Sequence, residues 1–236
     1  MAWFVREEYR NSDKGTYWSP DIAPIESEHE RLNQAGVALR QSIKEQWEAN
    51  GRALRSPFRP DYGSSKIPPL LQGWKYPPFD APLKDQLKNP EGELVDIISS
   101  SFCTYAISQR VIDIIERIEP GVHNYVPYEM VNPDGSAHPA RRWLLNICTR
   151  LELIDVAKSN VVELDSGKFA DITAGGRQPR IVVKASECSE RAIWFEWRYN
   201  RDAFLISDCF WDALQAESVK GWSPKFGSYP DHIEEA

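Results

Sequence analysis

A helical pattern of apolar positions marks the first part of the chain. Apolar residues recur there at every third or fourth position, at Leu32, Ala35, Leu39, Ile43 and Trp47. This spacing places them on one face of an α-helix, so the pattern predicts a long helix with one buried side. Ser27 and Glu30 have the spacing of a capping box, which predicts that the helix begins near Ser27, and Gly51 is a typical helix stop.

Beyond residue 95 the apolar pattern alternates between strands and short helices. Ser108 is placed to cap a helix whose apolar residues run from Val111 to Ile118, and Pro120 with Gly121 ends it. Strand-like runs occur at 122–131, 143–148, 151–156, 180–185, 192–198 and 203–206. Together with a short edge strand at 3–5, this order predicts an α+β fold built on a largely antiparallel sheet with short helices.

Prolines and aromatic rings are interleaved between residues 56 and 82. The prolines exclude a regular helix or a central strand, and rings such as Trp74 and Phe79 favour an extended arm that packs over the body. A peptide-like ligand for a proline-binding module is the alternative interpretation. We therefore predict three parts: an N-terminal strand, helix and arm at 1–95, a main α+β domain at 96–228, and an acidic tail at 229–236.

Two segments of the chain share a strand, serine and helix pattern. Ile107 and Ser108 precede one apolar helix, and Ile206 and Ser207 precede another. Each serine stands where a helix cap is expected. We interpret the likeness as shared cap chemistry rather than as a duplication.

The chain is acidic, with a formal net charge of -7 and an isoelectric point near 5.2. Such a field repels phosphate backbones, so direct nucleic-acid binding is not expected, and it attracts a basic protein partner. The four cysteines are widely spaced, no secretory segment precedes them, and no apolar run approaches the roughly 18 residues of a membrane span. These features predict a cytoplasmic protein that does not insert into the membrane, and they leave homo-oligomerisation open.

The sequence lacks the common catalytic motifs. Spacings typical of zinc proteases, serine hydrolases and nucleotide-binding loops do not occur, and the four histidines lie far apart. Cys103 or Cys148 could form a thiol nucleophile with His123 as its base, but both cysteines lie in apolar stretches where an inert buried thiol is usual. Gly175 and Gly176 fit a hairpin turn better than a phosphate cradle. We therefore predict no catalytic residue, no metal ligand and no cofactor.

Asp208 and Asp212 are the candidate binding residues. They lie four positions apart at the start of a predicted helix, so their carboxylates share one face. Such a pair can bind a cation, act as an acid and base pair, or meet basic groups of a partner protein. The preferred interpretation is local, because acidic groups stabilise the positive end of a helix dipole.

Aromatic rings project from both faces of the strand predicted at 192–198. Trp194 and Phe195 are adjacent, so they point to opposite sides, and Trp197 lies on the side of Phe195. Core packing on both faces is the preferred interpretation. An interface hot spot is the alternative.

Short motifs in the second half of the chain resemble a known family. They are the strands at 192–197 and 143–147, Leu205 to Asp208, Gly221 with Trp222, and Leu153 to Asp155 with Ser159. Over residues 96–228 this pattern resembles immunity protein family eleven of bacterial polymorphic toxin systems, formerly a domain of unknown function family. In that pattern Ser207 and Asp208 are markers of the fold.

The resemblance implies an α+β antidote that is encoded beside a toxin and acts in the bacterial cytoplasm. Its implied partner is the cognate toxin or effector, on which we expect a basic surface that meets Asp208 and Asp212. The leading hypothesis is that the chain is not an enzyme and neutralises its toxin by stoichiometric binding. A hydrolase that reverses the toxin's modification and a scaffold module are the alternatives.

Overall fold

The structure, a computed structural model, describes the body of the protein and little of the proline-rich arm. The described residues are 2–4, 6–7, 22–49, 75–76, 78–88, 94–102, 104–164, 169–171, 180–188, 190–196, 199, 204–223 and 234–235. The arm predicted at 56–82 and the acidic tail predicted at 229–236 therefore lie mostly outside the described residues, as do Cys103, Gly175 and Gly176.

The fold is α+β with mixed, mostly antiparallel sheets, as the sequence predicted. The strands are β1 (Ala2–Phe4), β2 (Arg6–Glu7), β3 (Ile22–Pro24), β4 (Leu83–Leu87), β5 (Ile97–Ser99), β6 (Tyr105–Ile107), β7 (Asn124–Val131), β8 (Arg142–Asn146), β9 (Arg150–Leu151), β10 (Val161–Glu163), β11 (Phe169–Asp171), β12 (Val182–Val183), β13 (Ile193–Glu196), β14 (Phe204–Ser207), β15 (Trp222–Ser223) and β16 (Glu234–Glu235). The helices are α1 (Glu26–Ala49), α2 (Gln109–Ile118), α3 (Ala185–Cys188) and α4 (Asp208–Ala216). Within the described part of the chain, no helix combines the length and apolar character needed to cross a membrane.

The larger sheet has six strands in the order β3-β4-β7-β8-β6-β5. Successive side chains of a strand point to opposite faces, so one strand can contribute to two cores. Ile98 and Ala106 face the core covered by α1. Their neighbours Ile97 and Ile107 face the core covered by α2 and α4. The long helix and the two shorter helices therefore lie on opposite faces of one sheet.

A second sheet, in the order β1-β14-β13-β9, contributes to the core beneath α2 and α4. Ile193 and Phe195 of β13 face this shared core. Trp194 is fully buried on the other face of β13, where it packs with Leu153 and Val183. The structure thus confirms core packing for Trp194 and Phe195, whereas Trp197 lies outside the described residues.

The two segments that share the strand, serine and helix pattern adopt the same local structure. β6 leads through Ser108 into α2, and β14 leads through Ser207 into α4. The Ser207 hydroxyl accepts the backbone N–H of Phe210 at 3.3 Å, which is the expected cap bond. The Ser108 hydroxyl instead donates to Asp96 Oδ1 at 2.8 Å, so Ser108 occupies the cap position without making the predicted cap bond.

Two local predictions were wrong. α1 begins at Glu26, and the amides of Glu28 and His29 already bond to the carbonyl of Ile25, so Ser27 lies inside the helix rather than at its cap. The strand predicted at 151–156 is limited to β9 and an isolated bridge at Ile154. Leu153 is nevertheless buried, and its backbone groups have partners: its N–H donates to the Glu196 carboxylate at 2.7 Å and its carbonyl accepts the Lys184 N–H at 3.0 Å.

Candidate functional site

The helix α4 carries both predicted binding residues. Asp208 is half-buried in its first turn, beside the Ser207 cap, and Asp212 is exposed one turn later. Asp208 stands at the positive end of the helix, where a carboxylate is stabilising. Cys209, between them in sequence, is exposed, and its Sγ lies 3.1 Å from the Ser207 hydroxyl. The structure therefore leaves a local role open for Asp208 and presents Asp212 to solvent.

The basic side chains next to α4 are already engaged. α2 packs against α4, and its Arg117 forms an ion pair with the Glu217 carboxylate. Arg110 Nη1 donates to the Glu217 carbonyl at 3.1 Å and lies 3.9 Å from Asp96 Oδ2. Among the described residues, no basic group lies within 4.0 Å of Asp212. Asp212 therefore presents a negative charge to solvent that has no counter-ion in the described part of the chain.

The candidate nucleophile Cys148 is not arranged for catalysis. Its Sγ donates to the Asn146 carbonyl at 3.4 Å, and burial raises the pKa of the thiol to about 11. His123 Nδ1 accepts the backbone N–H of Cys148 at 3.2 Å, and His123 Nε2 lies 3.1 Å from the Glu119 carboxylate. Because both ring nitrogens have partners other than the thiol, His123 cannot act as its base in this arrangement.

Glu119 forms a buried hub that the sequence did not reveal. It follows α2, and its carboxylate accepts hydrogen bonds from the Thr149 hydroxyl at 2.9 Å and from the Ala192 backbone N–H at 3.0 Å. Arg191 Nη1 lies 3.0 Å from Glu119 Oε1. Burial alone would raise the pKa of Glu119, but the hydrogen bonds from His123, Ala192 and Thr149 lower it to about 2. Glu119 therefore joins the end of α2 to the second sheet as a fixed anion.

A second buried polar cluster contains a serine, a histidine and an aspartate. Asp85 is fully buried and accepts the Ser101 hydroxyl, the Ser101 backbone N–H at 3.0 Å and the Tyr128 hydroxyl at 2.9 Å. His29 Nε2 lies 2.6 Å from Ser101 Oγ. The serine stands between the acid and the histidine and gives its proton to the acid, so this is not the order of a serine nucleophile and its base. The cluster instead fastens α1 to the larger sheet.

The residues that carry the family resemblance occupy structural positions. Asn146 is fully buried at the end of β8. The Asp155 carboxylate accepts the backbone N–H groups of Ala157 and Lys158, which closes a turn. The Ser159 hydroxyl accepts the Val182 backbone N–H at 2.9 Å. These contacts explain why such residues mark a fold, and they do not by themselves identify a binding surface.

Comparison with known proteins identifies a matching family. The model of the Immunity protein family (Imm11) matches residues 25–226. No curated protein matches the chain. The match begins at the residue before α1 and extends to three residues beyond β15. It therefore includes α1 as well as residues 96–226 of the region that carries the resemblance.

Proposed function

Since the chain belongs to the Imm11 immunity protein family, we propose that it binds a cognate bacterial toxin or effector and neutralises it by remaining bound. The family match over residues 25–226 is the observation that carries the proposal. The inhibition requires no turnover, so one antidote molecule protects against one toxin molecule. We expect the two proteins to meet in the cytoplasm of the cell that makes the antidote.

We place the toxin-binding surface on the exposed side of α4. Asp212 is exposed there and Asp208 is half-buried one turn earlier, so a basic side chain of the toxin can approach both carboxylates from one side. The chain's net charge of -7 adds a long-range attraction for a basic toxin. Attraction of this kind mainly raises the association rate and helps to select the partner.

Reversing both charges tests this surface. Asp208→Lys combined with Asp212→Lys should lower the association rate with the cognate toxin by about tenfold at low salt, because the local attraction becomes a repulsion. The difference from the wild type should shrink at high salt, because salt screens exposed charges. Stopped-flow or surface-based binding at two salt concentrations measures both effects.

The matched control is Glu30→Lys combined with Glu45→Lys. Both glutamates are exposed on α1, which covers the opposite face of the larger sheet, and this variant changes the net charge by the same amount. It should slow association much less than the α4 variant does. Equal slowing by the two variants would mean that only net charge matters and would remove α4 as the binding surface. Denaturant unfolding of each variant checks that the fold is retained.

A further inference from the structure

The polar cluster beneath α1 is built from groups whose charges depend on pH. His29, on the buried side of α1, is 6% exposed and contacts Ser101 Oγ, while its Nε2 lies 4.0 Å from Asp85 Oδ1. The imidazole also stacks on Phe102, with ring centroids 4.5 Å apart. Tyr128 completes the cluster by donating to Asp85 from β7. Among the described residues, the polar groups facing His29 are thus one carboxyl from β4, one phenol acting through that carboxyl, and one hydroxyl.

Apart from this cluster, the described side chains of α1 hold the sheet through few contacts. Leu32 is its fully buried apolar residue, with Ala35 and Leu39 partly buried against the same core. Arg31, two positions after His29, bonds to the residues just before β4: its Nη2 donates to the carbonyls of Ala81 and Pro82 at 2.9 Å and 2.6 Å. Among the described side chains of α1, His29 is the titratable group that contacts the buried polar cluster, so a change in its charge acts directly on this part of the attachment.

The Ser101 hydroxyl fixes the direction of the hydrogen bonds. Its proton is donated to Asp85, so Ser101 Oγ can only accept from His29 Nε2. A neutral imidazole with its proton on Nε2 satisfies this arrangement. A second proton on the ring would place a cation in a buried site that contains one carboxyl, which burial favours in its neutral form.

We propose that His29, Ser101, Asp85 and Tyr128 form a protonation-sensitive latch that holds α1 on the larger sheet at neutral pH and loosens it in mild acid. In the neutral state the four groups form a continuous hydrogen-bonded chain from helix to sheet. In the acid state the charged ring is stabilised better by water than by the cluster, so α1 opens locally while the opposite face of the sheet stays intact.

The direction of the pKa shifts supports this behaviour. Burial lowers the pKa of His29 below its ordinary value of 6.5, with Asp85 opposing the shift, so its contribution to the attachment is present above that pH and declines below it. Burial raises the pKa of Asp85 above its ordinary value of 3.8, against the hydrogen bonds from Ser101. Proton uptake by Asp85 at lower pH favours the folded form, so it limits how much attachment of α1 is lost. The release of α1 from the larger sheet should therefore occur mainly just below about pH 6.5.

Hydrogen exchange of the full chain, read by mass spectrometry at about pH 7.5 and about pH 5.5, tests the latch. After correction for the intrinsic pH dependence of exchange, protection of α1 should fall at least about threefold at the lower pH, while protection of α2 stays constant. His29→Gln keeps an N–H donor for Ser101 but cannot become charged, so α1 in this variant should keep its protection at both pH values. His138→Gln, a histidine outside the cluster, should behave like the wild type.

Three results would overturn the latch. One is unchanged protection of α1 in the wild type between the two pH values. The second is an equal loss of protection in α1 and α2, which means general acid unfolding rather than local release. The third is a His29→Gln variant whose α1 loosens in acid as much as that of the wild type.

Discussion

Replacing Gly221 by alanine should destabilise the fold on the order of 3–5 kcal/mol. Gly221 has φ +120°, and a Cβ at this position would lie 2.1 Å from the Ile97 carbonyl oxygen. That oxygen belongs to the backbone of β5 and cannot move aside as a flexible side chain would. Next to this contact, the backbone N–H of Ile97 donates to the Lys220 carbonyl at 3.1 Å. The substitution must therefore separate residues 220–221 from the edge of the larger sheet.

The matched control for this prediction is Gly135→Ala. Gly135 also has positive φ, at +86°, but a Cβ there would meet no atom within 4 Å. This variant should lose only about 1 kcal/mol, the cost of the backbone conformation alone. Urea denaturation of both variants measures the difference. Equal stability of the two would show that the close approach at Ile97 does not constrain the fold.

Glu119→Gln should cost about 3 kcal/mol of folding stability at neutral pH. The glutamine keeps the shape of the side chain, but its amide nitrogen is a donor and must face donors that now point at the carboxylate, such as His123 Nε2 and the Ala192 N–H. Arg191 also loses its anionic partner. Denaturant unfolding measures the loss of stability. The control is Asp113→Asn on the exposed side of α2, which should lower the free energy of unfolding by less than about 0.5 kcal/mol.

The pH dependence gives a second measurement of the same hub. The pKa of Glu119 falls from its ordinary 4.5 to about 2, so its contribution to stability is present above pH 4.5 and is lost as the pH falls toward 2. The wild type should therefore lose more stability than Glu119→Gln over this interval, since the variant has no carboxylate to protonate there. Parallel pH profiles for the two proteins would contradict the assignment.

Local elements of the fold were predictable because their signals lie close together in sequence. The spacing of Val111, Ile114 and Ile115, followed by Pro120 and Gly121, predicted α2, and the structure places its end at Ile118. The strands β7, β8, β13 and β14 were predictable for the same reason, whereas the strand predicted at 151–156 was wrong. The start of α1 near Ser27 was predicted to within one residue, but the capping box was wrong, because the helix begins at Glu26 and Ser27 lies inside it.

The two buried polar clusters were not predictable because their partners are far apart in sequence. From sequence alone, Glu119 is only a charged residue after a helix. Arg191 and Ala192, which bond to its carboxylate in the fold, lie more than 70 positions later. His29 and Asp85 are likewise brought together only by the packing of α1 on the sheet. Asp208 and Asp212 were visible as a pair on one helix face, but a carboxylate pair alone does not distinguish a partner contact from helix stabilisation.

Titration of the purified cognate toxin with this chain tests the central claim most directly. If the protein neutralises its toxin by remaining bound, residual toxin activity should fall in proportion to the amount added and reach its floor near one equivalent. A complex of the two proteins should then survive size-exclusion chromatography. Full protection at a small fraction of an equivalent, with no complex recovered, would contradict stoichiometric binding and point to turnover.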